Sequence, residues 1–198
     1  MKNILIYGDS NVWGQDDSLK RYSAQVRWVN QLQKQLGDGY EMQPAGLPGR
    51  IAGSYDHVDQ SKNGKDSFEA ICRQASPLDL VIIALGTNDC KDRYDPTPNQ
   101  IYDDLLWYRD AVAKLSEDVS YVAPASIMYI APPNLRRSQD FVGSEEKRQA
   151  LVALLEGSGE QVIIPGEISL SSDGVHFSPE GHAEMSKLMK TKLTEMGI

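Results

Sequence analysis

Four short segments carry side chains that could share one reaction: Gly8-Asp9-Ser10, Gly46-Leu47-Pro48-Gly49-Arg50, Gly86-Thr87-Asn88-Asp89 and Asp173-Gly174-Val175-His176. Ser10 offers a hydroxyl. Alone it is a weak nucleophile; it needs a base within about 3 Å and a third group to orient that base. Asp173 and His176 stand three residues apart, and a turn at Gly174 lets the carboxylate meet Nδ1 of the imidazole. Nε2 is then left as the acceptor that a serine requires. The amides of Ser10 and Gly49 and the side-chain NH₂ of Asn88 are available donors for an oxyanion. Losing one such donor typically removes about 2.7–4 kcal/mol of transition-state stabilisation. The chemistry these residues could perform together is acyl transfer through a serine ester.

Segments so far apart meet only if the intervening elements bring them to one place. Five apolar runs read as buried strands: Asn3–Tyr7, Tyr40–Pro44, Leu78–Leu85, Ser126–Ala131 and Gln161–Ile164. Val81-Ile82-Ile83-Ala84-Leu85 is continuously apolar, which predicts a strand covered on both faces, as in a parallel sheet. Helical patterns alternate with the strands. Arg27–Leu36 places Trp28, Leu32 and Leu36 at steps of four, and Gly37 is a natural stop. Ser67–Ala75 is a second helix. Pro98–Leu115 sets Ile101, Leu105, Tyr108, Val112 and Leu115 on one stripe. Ser144–Glu156 is expected to use Ser144 as its N-cap, and Pro179–Met196 follows Ser178. Alternating strands and helices predict a three-layer α/β/α sandwich around a five-stranded parallel sheet. The connections Gly46–Gly64, Lys91–Pro98, Pro132–Gly143 and Gly166–Ser178 all follow strands. They should gather at the carboxyl edge, where open α/β sheets hold their ligands.

Composition narrows the partners. The chain has 198 residues, with 20 Lys+Arg against 28 Asp+Glu and a net charge of −8. Its length suits one domain over residues 1–198. An acidic surface repels phosphate backbones, and the basic residues form nothing larger than the pair Arg136-Arg137, so no nucleic acid is expected. No apolar run nears the roughly 18 residues of a membrane span. The apolar start Ile4–Tyr7 is shorter than a secretory core, which needs about 7–15 residues. Cys72 and Cys90 show no C-x-x-C spacing, so neither a zinc site nor a disulfide is expected, and two lone thiols suit the cytoplasm.

The four segments resemble the four sequence blocks of the SGNH-hydrolase (GDSL-like esterase) superfamily, in order, over residues 4 to 177. Gly8-Asp9-Ser10-Asn11-Val12-Trp13-Gly14 is similar to the block that carries the nucleophile. Gly46–Arg50 resembles the second block, with Gly49 as oxyanion donor, and Gly86–Asp89 the third, with Asn88 as the other donor. Asp173–His176 resembles the last, which completes the triad. Within the superfamily the chain looks most like the acyl/aryl esterase group. The resemblance implies a flavodoxin-like strand order 2-1-3-4-5, no cofactor or metal, and hydrolysis of short-chain acetyl or aryl esters, with acyl transfer to alcohols as a side activity. A carbohydrate O-acetylesterase is the alternative; a lysophospholipase or thioesterase is more distant. Some relatives assemble into oligomers, so a homo-oligomer is an allowed state. Three departures from the pattern stand out. Asn11 stands where the family name implies Leu, Pro44-Ala45 where many members have Asn, and Gln15 where some acyltransferase-like relatives have an aromatic residue. The second departure removes the usual support of the oxyanion loop.

Other residues receive plainer readings. Trp13, Arg50, Asp92 and Tyr94 lie near the site in sequence and are candidate substrate contacts. Trp28, Trp107 and Tyr108 fall on helical stripes and should be core. His57 is expected to be exposed, His182 structural, Cys90 a buried thiol, and Asp9 and Asp89 ties for their loops. The acidic run Gln15-Asp16-Asp17 reads as a solvated face. Two rival functions come from other classes. A metal-dependent phosphatase would use Asp9, Asp89, Asp173 and His176, but no D-x-D or H-x-D spacing joins these four and Ser10 would be idle. A non-catalytic carbohydrate-binding module would have no use for a complete triad. A lipid-directed lipase would carry an apolar lid segment, and none is visible.

Overall fold

Strand β1 (Lys2–Gly8) is alternately apolar toward two cores: Ile4 and Ile6 enter one, Leu5 and Tyr7 the other. That double burial is why its sequence reads as a continuous run rather than an alternation. The computed structural model describes residues 1–117, 125–136, 138 and 140–198. After β1 come α1 (Ser10–Trp13), α2 (Trp28–Leu36), β2 (Tyr40–Gly46), α3 (Gly64–Ala75) and β3 (Leu80–Ala84). Then follow α4 (Pro98–Ser116), β4 (Ser126–Ile130), α5 (Ser144–Glu156), β5 (Val162–Ile163) and α6 (Pro179–Glu195). The strands form one parallel sheet in the order β2-β1-β3-β4-β5. One core packs Leu5, Tyr7, Val81 and Ile83 against Phe68, Tyr108 and Leu151 of α3, α4 and α5. The other packs Ile4, Ile6, Ile82 and Met128 against Trp28, Leu32, Met185 and Met189 of α2 and α6. The result is the expected α/β/α sandwich.

The register places the site. Gly8 lies opposite both Gly46 of β2 and Ala84 of β3, so the three strands end level. The loops that carry Ser10, Gly49 and Asn88 therefore leave the sheet side by side. Helix α1 sits directly on those strand ends. A side chain at Gly46 would run into the Trp13 backbone, and one at Gly8 into Val12 and the Ala84 carbonyl. Only glycine permits that approach.

Several boundaries differ from expectation. Ser144 is not an N-cap: Gly143 holds that position, while Ser144 Oγ donates to the Cys90 carbonyl at 2.7 Å. Helix α3 begins three residues before Ser67, because Asn63 caps the Lys65 amide. The sequence places Ser10 in a loop; it opens a four-residue helix. β2 is an edge strand in which only Met42 is buried, and β5 pairs over two residues. Arg137, half of the basic pair, lies outside the described residues.

Candidate active site

Ser10 follows Asp9, which caps α1 by accepting the Asn11 amide at 2.9 Å. Gly14 ends the helix at φ 85°, so Ser10 is held on a single tight turn. His176 Nε2 lies 3.0 Å from Ser10 Oγ, and His176 Nδ1 lies 2.6 Å from Asp173 Oδ2. The other carboxylate oxygen of Asp173 accepts the Val175 and His176 amides at 2.9 and 3.0 Å. Burial opposes the Asp173 charge, but the hydrogen bonds from the His176 side chain and from both amides outweigh it and hold the carboxyl at about 2. Asp173 is therefore ionised at neutral pH, which favours the proton of a neutral imidazole on Nδ1 and leaves Nε2 to face the serine.

The loop bearing Asp173 and His176 is braced locally. Leu170 and Phe177 form an antiparallel bridge, and Ser171 N–H donates to the His176 carbonyl at 2.7 Å. Asn11, next to Ser10, grips the same loop. Its amide donates to the Val175 carbonyl at 3.2 Å and its oxygen accepts the Phe177 amide at 2.9 Å. Asn11 is only 5% exposed, so these bonds stand largely apart from water.

The Gly49 and Asn88 side is braced by Arg50. Its carbonyl accepts Asn88 Nδ2 at 3.1 Å, which leaves the second hydrogen of that amide for another acceptor. Its guanidinium donates to the Gly8 carbonyl at 2.9 Å and to the Ala45 carbonyl, and lies 3.9 Å over the Tyr7 ring. Gly49 takes φ 81° in the turn closed by Arg50 N–H on the Leu47 carbonyl. Among the described residues, neither the Ser10 nor the Gly49 amide donates a hydrogen bond. At Pro44-Ala45, where the resemblance implies Asn, the Arg50 guanidinium ties the Ala45 carbonyl to the end of β1. Arg50, expected to touch substrate, is 5% exposed and turned into the protein.

Ser10, Asp173 and His176 open, together with Gly49 and Asn88, on a cleft of about 490 Å³. Trp13, Arg50, Asp92 and Tyr94 do not line it. Trp13 is half-buried beside Arg21, Asp92 is exposed, and Tyr94 packs against the exposed His57. Gln15, Asp17, Leu19, Lys91 and Phe141 line it instead. Gln15 is buried in the cleft wall, while Asp17 is exposed at the cleft's edge and Asp16 is half-buried outside it, so the solvated-face reading fails for Gln15 and holds for Asp17. Lys91 packs near the Tyr94 and Phe141 rings, and burial lowers its ammonium pKa.

Asp9 and Asp89 are occupied by the fold. Asp89 accepts the Ala52 and Gly53 amides and the Tyr55 hydroxyl, and burial raises its pKa to about 6. Burial also raises the Asp9 pKa, against the opposing Asn11 bond. Among the described residues no three His, Cys, Asp or Glu side chains group as a metal site. His182 is wholly buried, its Nδ1 accepting the Trp28 amide at 3.3 Å. Cys90 is buried too, its thiol pushed up to about 12 by desolvation. Among the described residues no helix is long and apolar enough to cross a membrane.

A sequence model described as the GDSL-like Lipase/Acylhydrolase family matches residues 6–184. No curated protein matches the chain. Among solved structures, Est24, a carbohydrate acetylesterase from Sinorhizobium meliloti, is 28% identical over 99% of this chain and 100% of its own, with a TM-score of 0.89. The aryl esterase of M. smegmatis is 27% identical over 98% and 99%, with a TM-score of 0.88. A member of the lipolytic protein G-D-S-L family from Veillonella parvula DSM 2008 shares the fold at 15% identity, over 98% and 97%, with a TM-score of 0.70.

Proposed function

The chain belongs to the GDSL-like lipase/acylhydrolase family, and from that premise we propose that it cleaves short-chain carboxylic esters, acetyl and aryl esters foremost, through an acyl-enzyme on Ser10. The observation that carries this reading is the unbroken relay Ser10–His176–Asp173 at 3.0 and 2.6 Å, next to three donors on neighbouring loops. His176 Nε2 takes the Ser10 proton as Oγ attacks the ester carbonyl. The carbonyl oxygen becomes an oxyanion among the Ser10 amide, the Gly49 amide and Asn88 Nδ2. His176 then passes its proton to the departing alkoxide. Water enters, gives its proton to His176, attacks the acyl group, and Ser10 leaves with the proton restored. Asp173 stabilises the imidazolium at each stage without taking a proton.

The cleft size suits a small ester, and the M. smegmatis relative is an aryl esterase. A carbohydrate acetylesterase is the second reading. The polar wall of Gln15, Asp17, Ser138 and Asp140 favours it, as does the likeness to Est24. In either case residues 1–198 make up one catalytic domain, and its two buried free thiols suit the reducing cytoplasm. A panel of p-nitrophenyl esters of rising acyl length and of acetylated sugars, with Ser10→Ala as control, tests both. Acetyl esters should turn over fastest, and only in protein that carries Ser10. Turnover limited to long acyl chains would overturn the substrate class.

A further inference from the structure

Between α1 and α2 the chain forms a short lip at the cleft. Gln15 and Arg21 pair as an antiparallel bridge, and the Tyr22 amide returns to the Gly14 carbonyl at 2.8 Å. Asp16 closes the turn inside that bridge. Its Oδ1 accepts the Ser18 and Lys20 amides at 2.9 and 2.8 Å, and its own amide donates to the Lys20 carbonyl at 2.8 Å. Asp17 then accepts Ser172 Oγ at 2.6 Å, which fastens the lip to the residue before Asp173. At the tip stands Leu19, with φ 61° and 74% of its surface exposed, lining the cleft together with Ser10 and His176.

Two unfavourable features meet in this one side chain. The left-handed backbone crowds Cβ against a carbonyl oxygen, and asparagine or glycine tolerates it far better than leucine. The exposed isobutyl group also gains nothing from burial in the free protein. Fold stability gives no reason for leucine here, yet six hydrogen bonds hold it in place, two of them forming the Gln15–Arg21 bridge and one running from its own amide to the Asp16 carbonyl at 3.2 Å. Strained residues kept by their surroundings gather at ligand contacts.

We infer that Leu19 is a specificity-determining residue that packs on the hydrocarbon part of the alcohol half of the ester. The inference rests on the esterase reading above. Its direction follows from the proton transfers. The departing alkoxide must receive its proton from His176 Nε2, so the alcohol half lies on the histidine side of Ser10, while the carbonyl oxygen lies toward Gly49 and Asn88. The Asp17–Ser172 bond ties the lip to the histidine loop. A phenyl leaving group carries enough apolar surface to cover Leu19; a methyl group does not.

Phenyl acetate and methyl acetate share one acyl half, so the ratio of their kcat/KM values isolates the leaving group. In Leu19→Asn and Leu19→Gly the phenyl-over-methyl preference should fall about tenfold, as for lost contact in an apolar pocket. Most of that fall should come from phenyl acetate, and Tm should hold or rise as the backbone strain is relieved. An unchanged preference in both variants overturns the inference. So does a lower Tm, which would make Leu19 structural, or a changed mass in light scattering, which would make it a contact between copies. Wild-type protein inert on both acetates would overturn the esterase reading itself, and this inference with it.

Discussion

Replacing Asp173 by asparagine keeps the side chain's shape and removes its charge, and the local geometry offers the new side chain no good answer. In the native loop one carboxylate oxygen holds the Val175 and His176 amides while the other meets His176 Nδ1 at 2.6 Å. If the asparagine oxygen stays on the two amides, its NH₂ must donate to Nδ1. The imidazole proton then moves to Nε2, and the nitrogen 3.0 Å from Ser10 Oγ can no longer accept. If the side chain flips, the tautomer survives, but the NH₂ confronts two amide N–H groups and the turn loses both bonds. Each such bond is worth about 0.5–1.5 kcal/mol, so the first orientation is preferred. The wrong tautomer in a serine-protease triad lowers kcat about 10⁴-fold, which is about 5.4 kcal/mol at 1.36 kcal/mol per decade. Asp173→Asn should therefore lose about that much kcat on p-nitrophenyl acetate, with KM little changed and Tm within a few degrees of wild type. A kcat within tenfold of wild type would refute the tautomer argument. Loss of activity accompanied by unfolding would also refute it, since the two backbone bonds were expected to survive.

Asn88→Ala should lower kcat about 10²–10³-fold with little change in KM or in urea stability; a change in KM alone would remove Asn88 from the oxyanion site. Arg50→Met removes the guanidinium bonds to the Gly8 and Ala45 carbonyls and should cost about 2–4 kcal/mol in urea unfolding, together with a fall in kcat. Two buried groups should set opposing pH slopes. His182 is held neutral, its pKa lowered from 6.5 to about 4 by desolvation, so the unfolded chain binds its proton first and stability falls as pH drops through that window. The full effect is about 3 kcal/mol. Asp89 is raised from 3.8 to about 6, so here the folded chain binds its proton first and stability rises as pH drops through 6 toward 3.8. Urea titrations between pH 4 and 6.5 should show Asp89→Asn more acid-sensitive than wild type and His182→Gln less so; the reverse order would contradict both assignments.

The strands were legible because β1 and β3 are buried on both faces, and an unbroken apolar run this short, ended by glycine, fits little else than a covered strand. The edge strands were less so: β2 buries only Met42, and β5 is too short to show a pattern. Helix α1 spans four residues, too few to reveal a helical period. The four chemical segments stood out because glycine and aspartate mark the loops at strand ends. What escaped was whatever depends on distant partners. Arg50 reads as a cationic substrate contact until its guanidinium is seen on Gly8, 42 positions away. Asn11 reads as a family variant until it meets Val175 and Phe177. Nothing about a leucine announces a left-handed backbone, so the lip at Leu19 was invisible in the sequence.

The central claim, a covalent acyl-enzyme on Ser10, is tested most directly by mass spectrometry of protein treated with a fluorophosphonate. One adduct should form, on the peptide that contains Ser10, with parallel loss of p-nitrophenyl acetate turnover, and Ser10→Ala should show neither adduct nor turnover. An adduct on another residue, or hydrolysis that persists in Ser10→Ala, would contradict it.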